Sequence, residues 1–194
     1  MRAQLVGTGV ALITPFTADL SVDYTALERL VAHVIEGGVD YLVVLGTTGE
    51  SATLSREEKA KILRCVAHSA GGQVPLVAGI GGNSTNAVLE DFKNTDLRGY
   101  CAILSVSPYY NKPTQEGIFQ HFKTLASESP LPLILYNVPS RTGSNVLPET
   151  VLRLANASPN IRGVKESSGD LEQIRDLLSK APDTFLVISG DDLT

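Results

Sequence analysis

Seven lysines occur in the chain, and Lys165 alone ends a strand-like apolar run, in Ile161-Arg-Gly-Val-Lys165-Glu-Ser-Ser168. An amine stripped of water at such a position can lose roughly 3–5 pKa units in the extreme. It is then free near neutral pH to attack a carbonyl and form a Schiff base. The position equally suits a lysine that reaches out to water or pairs with Glu166, and the residues leave these readings open. Other reactive or binding groups follow other apolar runs. Gly46-Thr47-Thr48-Gly49-Glu50 offers backbone N–H groups and two hydroxyls to a carboxylate or phosphate, or is simply a tight turn. Ser107-Pro-Tyr109-Tyr110-Asn111 and Tyr136-Asn-Val-Pro139 place tyrosines where a ring can be core and its hydroxyl wet. Ser140-Arg141-Thr-Gly143 holds an arginine in a Pro/Gly-bounded loop, suited to clamp a carboxylate or to remain an exposed charge.

These groups need a frame. Seven short apolar runs recur at near-regular intervals, at 9–14, 41–45, 74–78, 101–106, 131–136, 161–164 and 185–189. Most are continuous rather than alternating, which suits strands covered on both faces. Amphipathic helix patterns lie between them. Leu27, Leu30, Val31, Val34 and Ile35 form one stripe, and Ile62, Leu63, Val66, Ala67 and Ala70 another. Ile118, Phe122 and Leu125 mark a third, Leu171, Ile174 and Leu178 a fourth, with shorter candidates at 84–92 and 148–155. Ser55-Arg-Glu-Glu58 reads as a capping box, Pro148 as a first helical residue, and Gly37-Gly38 and Gly71-Gly72 as helix stops. Seven strands and six helices in alternation predict right-handed βαβ units in one domain, 1–194. An open nucleotide-binding sheet is disfavoured, because Gly79-Ile-Gly81-Gly82-Asn-Ser84 has serine where a third glycine belongs. The alternative is a TIM (β/α)8 barrel, which carries its chemistry at the C-terminal ends of its strands.

Bulk properties narrow the classes. The chain has 194 residues, 43% hydrophobic and 19% charged, with 16 basic against 21 acidic side chains. It has no basic run of the kind that binds nucleic acid. No apolar run approaches the ~18 residues of a membrane span. Met1 to Phe16 lacks a secretory pattern, which predicts a cytoplasmic protein. Cys65 and Cys101 are widely spaced and read as reduced thiols. His33, His68 and His121 fall singly in helical patterns, which argues against a metal site.

Taken together, Gly9-Val-Ala-Leu-Ile-Thr-Pro-Phe16, Gly46-Thr-Thr-Gly-Glu-Ser51, Pro108-Tyr-Tyr-Asn111, Tyr136-Asn-Val-Pro-Ser-Arg-Thr-Gly143, Gly163-Val-Lys-Glu166 and Ser189-Gly-Asp-Asp192 resemble the pyruvate-dependent class I aldolases of the dihydrodipicolinate synthase and N-acetylneuraminate lyase superfamily. The Thr-Thr pair and the Ser-Arg-Thr-Gly run favour its dihydrodipicolinate synthase branch. The resemblance implies a Schiff-base lyase of lysine (diaminopimelate) biosynthesis, condensing pyruvate with aspartate semialdehyde to 4-hydroxy-tetrahydrodipicolinate. It implies that Lys165 forms the imine and that Tyr136 is the general acid/base. Thr47 would link Tyr136 to Tyr110 in a proton relay, with Tyr110 reaching in from a neighbouring subunit of a homotetramer. Thr48 would hold the pyruvate carboxylate, Arg141 the semialdehyde carboxylate, and Gly190 would lie in the substrate site. No metal or organic cofactor is implied. A sister aldolase cleaving N-acetylneuraminate or keto-deoxy sugar acids, or a non-catalytic fragment, are the alternatives.

Ser51, Ala52, Asn83 and Tyr109 match an allosteric lysine pocket of the family. Lys59 and Ala87 depart from it, which predicts weak or absent lysine feedback. A complete barrel has ~250 residues, so 194 predicts a C-terminally truncated barrel lacking its last helix-strand-helix and C-terminal helices.

Overall fold

The structure, a computed structural model, describes residues 5–191. Its seven strands are β1 (Gly9–Ala11), β2 (Tyr41–Val44), β3 (Leu76–Gly79), β4 (Ala102–Val106), β5 (Leu133–Asn137), β6 (Ile161–Glu166) and β7 (Leu186–Ser189). They lie in one sheet in the order β1-β2-β3-β4-β5-β6-β7. A doubly wound sheet would reverse its order at a switch point, and this one does not. Sequential order, with β1–β2, β2–β3, β5–β6 and β6–β7 each paired in parallel, is the arrangement expected of a TIM barrel, seven of whose strands fall in the described residues. The chain divides into two compact units.

The first unit contains residues up to Gly79 together with Asn94–Ile103. Here β1 pairs parallel with β2, and β2 with β3. β1 stops short of Thr14, which turns its hydroxyl onto the Gly49 carbonyl at 2.7 Å, and Pro15 then has no N–H to continue a ladder. Helix α1 (Tyr24–Glu36) is capped by Asp23, whose side chain accepts from the Ala26 N–H. Helix α2 (Arg56–Ala70) opens with both halves of the Ser55/Glu58 capping box and ends on Gly71 at φ 54. Leu27 and Val31 of α1 and Ile62, Leu63 and Val66 of α2 are buried, as the sequence stripes require. Tyr100 is buried beneath them. Its hydroxyl donates to the Leu63 carbonyl at 2.9 Å, and burial pushes its phenol pKa up.

The second unit contains Ile80–Lys93 and the chain from Leu104 onward. It carries α3 (Thr85–Asn94), α4 (Gln115–Glu128), α5 (Pro139–Thr142), α6 (Pro148–Ala157) and α7 (Leu171–Lys180). The six helices expected from the patterns are all present, and α5 is an additional single turn. Its residues carry no apolar period, so only Pro139 at its start and Gly143 in the left-handed conformation after it mark it. The β5–β6 ladder contains an irregularity. Leu133 pairs with Ile161 but Ile134 pairs with Gly163, so Arg162 is an extra, exposed residue in β6.

One buried histidine couples this unit to pH. His121 on α4 is 6% exposed, bonds Thr85 Oγ1 through Nδ1 at 2.8 Å, and leaves Nε2 without a partner. Burial pushes its pKa down from the ordinary 6.5 to about 4. Because the unfolded chain binds the proton first, this stability is intact above pH ~6.5 and is lost as pH falls toward 4. We expect denaturation measurements to show a loss of about 3 kcal/mol over that window in the parent protein relative to His121→Gln. Parallel pH profiles for the two proteins would contradict this.

Candidate active site

The parallel register of β5 and β6 sets Tyr136 beside Lys165 and Asn137 beside Glu166. Neighbouring side chains in paired strands share a face, and successive ones alternate. Tyr136 and Lys165 therefore project together from one face, and Asn137 and Glu166 from the other. The Lys165 Nζ lies 4.9 Å from the centre of the Tyr136 ring, and Tyr136 is only 8% exposed. An amine and a phenol so placed can hand a proton between a carbonyl adduct and the protein.

Gly190, just after β7, lies close against the Lys165 side chain. A Cβ at Gly190 would stand 2.0 Å from Ser167 Oγ and 2.4 Å from Lys165 Cε. No side chain fits there while the lysine keeps its course. The Gly190 N–H donates to the Glu166 carbonyl at 2.8 Å, which locks the close approach. Ser167, two residues beyond Lys165 on the same face, has a buried hydroxyl without a hydrogen-bond partner.

The opposite face answers the question left open by the sequence about Glu166. Its carboxylate does not serve Lys165. It is fully buried and accepts hydrogen bonds from Asn137 Nδ2 at 2.9 and 3.0 Å, Gln173 Nε2 at 2.8 Å and the Ser168 N–H at 2.8 Å. The network continues outward. Asn137 Oδ1 accepts from the Val146 N–H at 2.9 Å, and Asn137 Nδ2 also reaches Asn145 Oδ1 at 2.7 Å. Asn145 Nδ2 donates to Gln173 Oε1 at 2.8 Å. Gln115 of α4 donates to the Asn145 carbonyl and accepts from Thr150 and the Leu147 N–H. Sequence reasoning missed this cluster. The available signal was that Asn137 directly follows Tyr136 and Glu166 directly follows Lys165, so strand alternation sends both to the far face.

The other expected residues are distributed as follows. Arg141 is exposed on α5, in a segment braced by Thr142, whose hydroxyl bonds the Val138 and Ser144 carbonyls. Tyr110 is 87% exposed and holds a left-handed backbone at φ 70, so it points out to solvent rather than onto Tyr136. Lys112, at φ 47, shares the strained turn. Thr47 and Thr48 belong to the first unit, exposed on a 3-10 turn, Thr47–Gly49, bracketed by Leu45 at φ 61 and Glu50 at φ 53. Gly79 makes that turn possible, since a Cβ there would lie 2.3 Å from the Leu45 carbonyl oxygen. Of the residues matched to a lysine pocket, Ser51 and Ala52 occupy the next 3-10 turn, Ser51–Thr53, in the first unit. Asn83 and Tyr109 lie in the second, where the Asn83 carbonyl accepts from Asn111 at 3.5 Å. Asp192 of the last motif lies outside the described residues. Among the described residues no cluster of His, Cys, Asp and Glu could hold a metal ion, and no helix is long and apolar enough to cross a membrane.

Comparison with known proteins identifies the family of the chain. The model of the dihydrodipicolinate synthetase family matches residues 4–194. The 4-hydroxy-tetrahydrodipicolinate synthase of Flavobacterium psychrophilum is 60% identical over 188 residues, covering 97% of this chain and 64% of the relative. The protein of the same name from Parabacteroides distasonis is 53% identical, with the same 97% and 64% coverage. The chain thus spans about 64% of the length of these curated relatives. Crystal structures of dihydrodipicolinate synthase from Aquifex aeolicus and Thermotoga maritima superpose with TM-scores of 0.91 and 0.92 at 41% and 43% identity. Each match covers 96% of this chain, and 63% and 64% of the solved chains respectively. The chain belongs to the dihydrodipicolinate synthetase family.

Proposed function

We propose that the protein is a pyruvate-dependent Schiff-base lyase, a 4-hydroxy-tetrahydrodipicolinate synthase of lysine biosynthesis, acting in the cytoplasm as a homotetramer. The observation that carries this reading is the Tyr136–Lys165 pair, held in register with Nζ 4.9 Å from the ring and Gly190 leaving the lysine room. The Lys165 amine adds to the keto carbon of pyruvate and water leaves, giving an imine. Loss of a methyl proton turns the imine into an enamine, which attacks the aldehyde carbon of aspartate semialdehyde. The amine of that substrate then adds to the imine carbon, closes the ring and releases Lys165. The protonated imine is the electron sink, so the chemistry calls for no metal or organic cofactor.

Tyr136 moves the protons at the imine, and Thr47 connects it to Tyr110 of a neighbouring subunit. The outward, strained Tyr110 suits a role outside its own chain. Thr48 binds the pyruvate carboxylate by hydroxyl and backbone N–H. Arg141 receives the carboxylate of the semialdehyde, for which a planar guanidinium is the fitting partner.

Treatment with pyruvate and borohydride should add one reduced pyruvyl group to Lys165, read by peptide mass. Lys165→Arg should abolish the adduct and lower kcat by at least ~10³-fold. An adduct elsewhere, or none, would refute the assignment. Gly190→Ala should leave a folded protein whose kcat/KM drops by roughly 10²-fold, because the new methyl displaces Lys165. Unchanged kinetics would show that the close approach is unimportant. Lys59 and Ala87 support weak feedback: a fixed ammonium repels that of free lysine, and alanine offers no carboxylate. Calorimetry should therefore detect little lysine binding, and tight binding would contradict this.

A further inference from the structure

We infer that Glu166 is a positioning residue, whose buried carboxylate fixes Lys165, Tyr136 and the Arg141 segment relative to one another. This rests on the Schiff-base reading above and adds to it the element that holds the site in shape. The carboxylate is fully buried and accepts from neutral donors, the Asn137 and Gln173 amides and the Ser168 N–H. Burying a carboxylate is expensive, and such a group persists where its bonds over-determine the surrounding geometry.

Each donor fixes a different part of the site. Asn137 is the last residue of β5, next to Tyr136, so its bond to Glu166 holds the C-terminal ends of β5 and β6 side by side. Ser168 anchors the chain leaving β6, with Ser167 between it and Glu166. Gln173 ties in the first turn of α7. Asn137 and Gln173 both reach Asn145, and Asn137 also receives the Val146 N–H. Residues 138–146 therefore leave β5 at one anchored point and return to the same cluster. Arg141 lies on the segment between these two anchors. None of these groups touches the face from which Lys165 projects, so Glu166 acts through its neighbours.

The isosteric variant Glu166→Gln puts an amide N–H₂ among three donors and orphans at least one of them. At a temperature well below unfolding, kcat/KM for aspartate semialdehyde, normalised to the sites trapped by pyruvate and borohydride, should fall about 10–100-fold. The double variant Glu166→Gln/Gln173→Glu returns a carboxylate to the cluster, now accepting from residue 166 and Asn145. It should recover most of the loss. Gln173→Leu keeps the carboxylate and removes one donor, and should show a smaller loss in the same sense. It decides the matter if Glu166→Gln does not fold.

A purely structural role would lower the melting temperature and leave kcat/KM per trapped site unchanged in Glu166→Gln, or in Gln173→Leu if that is the variant that folds. That outcome overturns the inference alone. A parent protein that forms no pyruvate adduct overturns the function reading and this inference with it.

Discussion

Everything proposed for the second unit depends on the side-by-side pairing of β5 with β6. One ladder sets Tyr136 against Lys165 and, one step on, Asn137 against Glu166. The first pair can do chemistry and the second holds the first in place. A strand alternates its faces with a period of two, so a reactive face and a supporting face can be written in adjacent residues. Tyr-Asn in one strand and Lys-Glu in the next are such pairs.

The supporting face is polar at its end and apolar below. Leu133, Leu135 and Val164 are buried on it, and Val151 and Leu154 of α6 are buried in the same unit. The amide-and-carboxylate cluster sits above this apolar layer, where the strands give way to loops. Apolar packing is tolerant in direction, whereas hydrogen bonds to a carboxylate are not. The arrangement gives stability to the layer below and angular definition to the layer above.

Much of this was legible before the fold was known. Continuous apolar runs announced strands covered on both sides, and the Ser55 box, Pro148 and Gly71 marked helix ends where the structure has them. Those signals are local, and local steric and capping rules decide them. Lys165 could be singled out because a lysine ending an apolar run is chemically conspicuous. The role of Glu166 could not be read, since its partners Gln173 and Asn137 are 7 and 29 residues away and meet it through tertiary packing. Helix α5 escaped because Pro139-Ser-Arg-Thr has too few residues to show a period. The exposure of Tyr110 is set by a turn conformation that composition does not encode.

The extra residue at Arg162 controls the parity of β6. In a regular strand, Ile161, Gly163 and Lys165 would all face the same way. Ile161 instead lines up with Leu133, and Gly163 and Lys165 with Ile134 and Tyr136, on the other face. The bulge takes up Arg162, so the residues after it stay in step with β5 while their odd and even positions swap faces relative to Ile161. Had Arg162 taken an ordinary ladder position instead, Lys165 would share the face of Ile161 and Asn137, and Glu166 that of Tyr136. Insertions or deletions here are therefore governed by whether their length is odd or even, an arithmetic constraint that operates before any question of which side chains are involved.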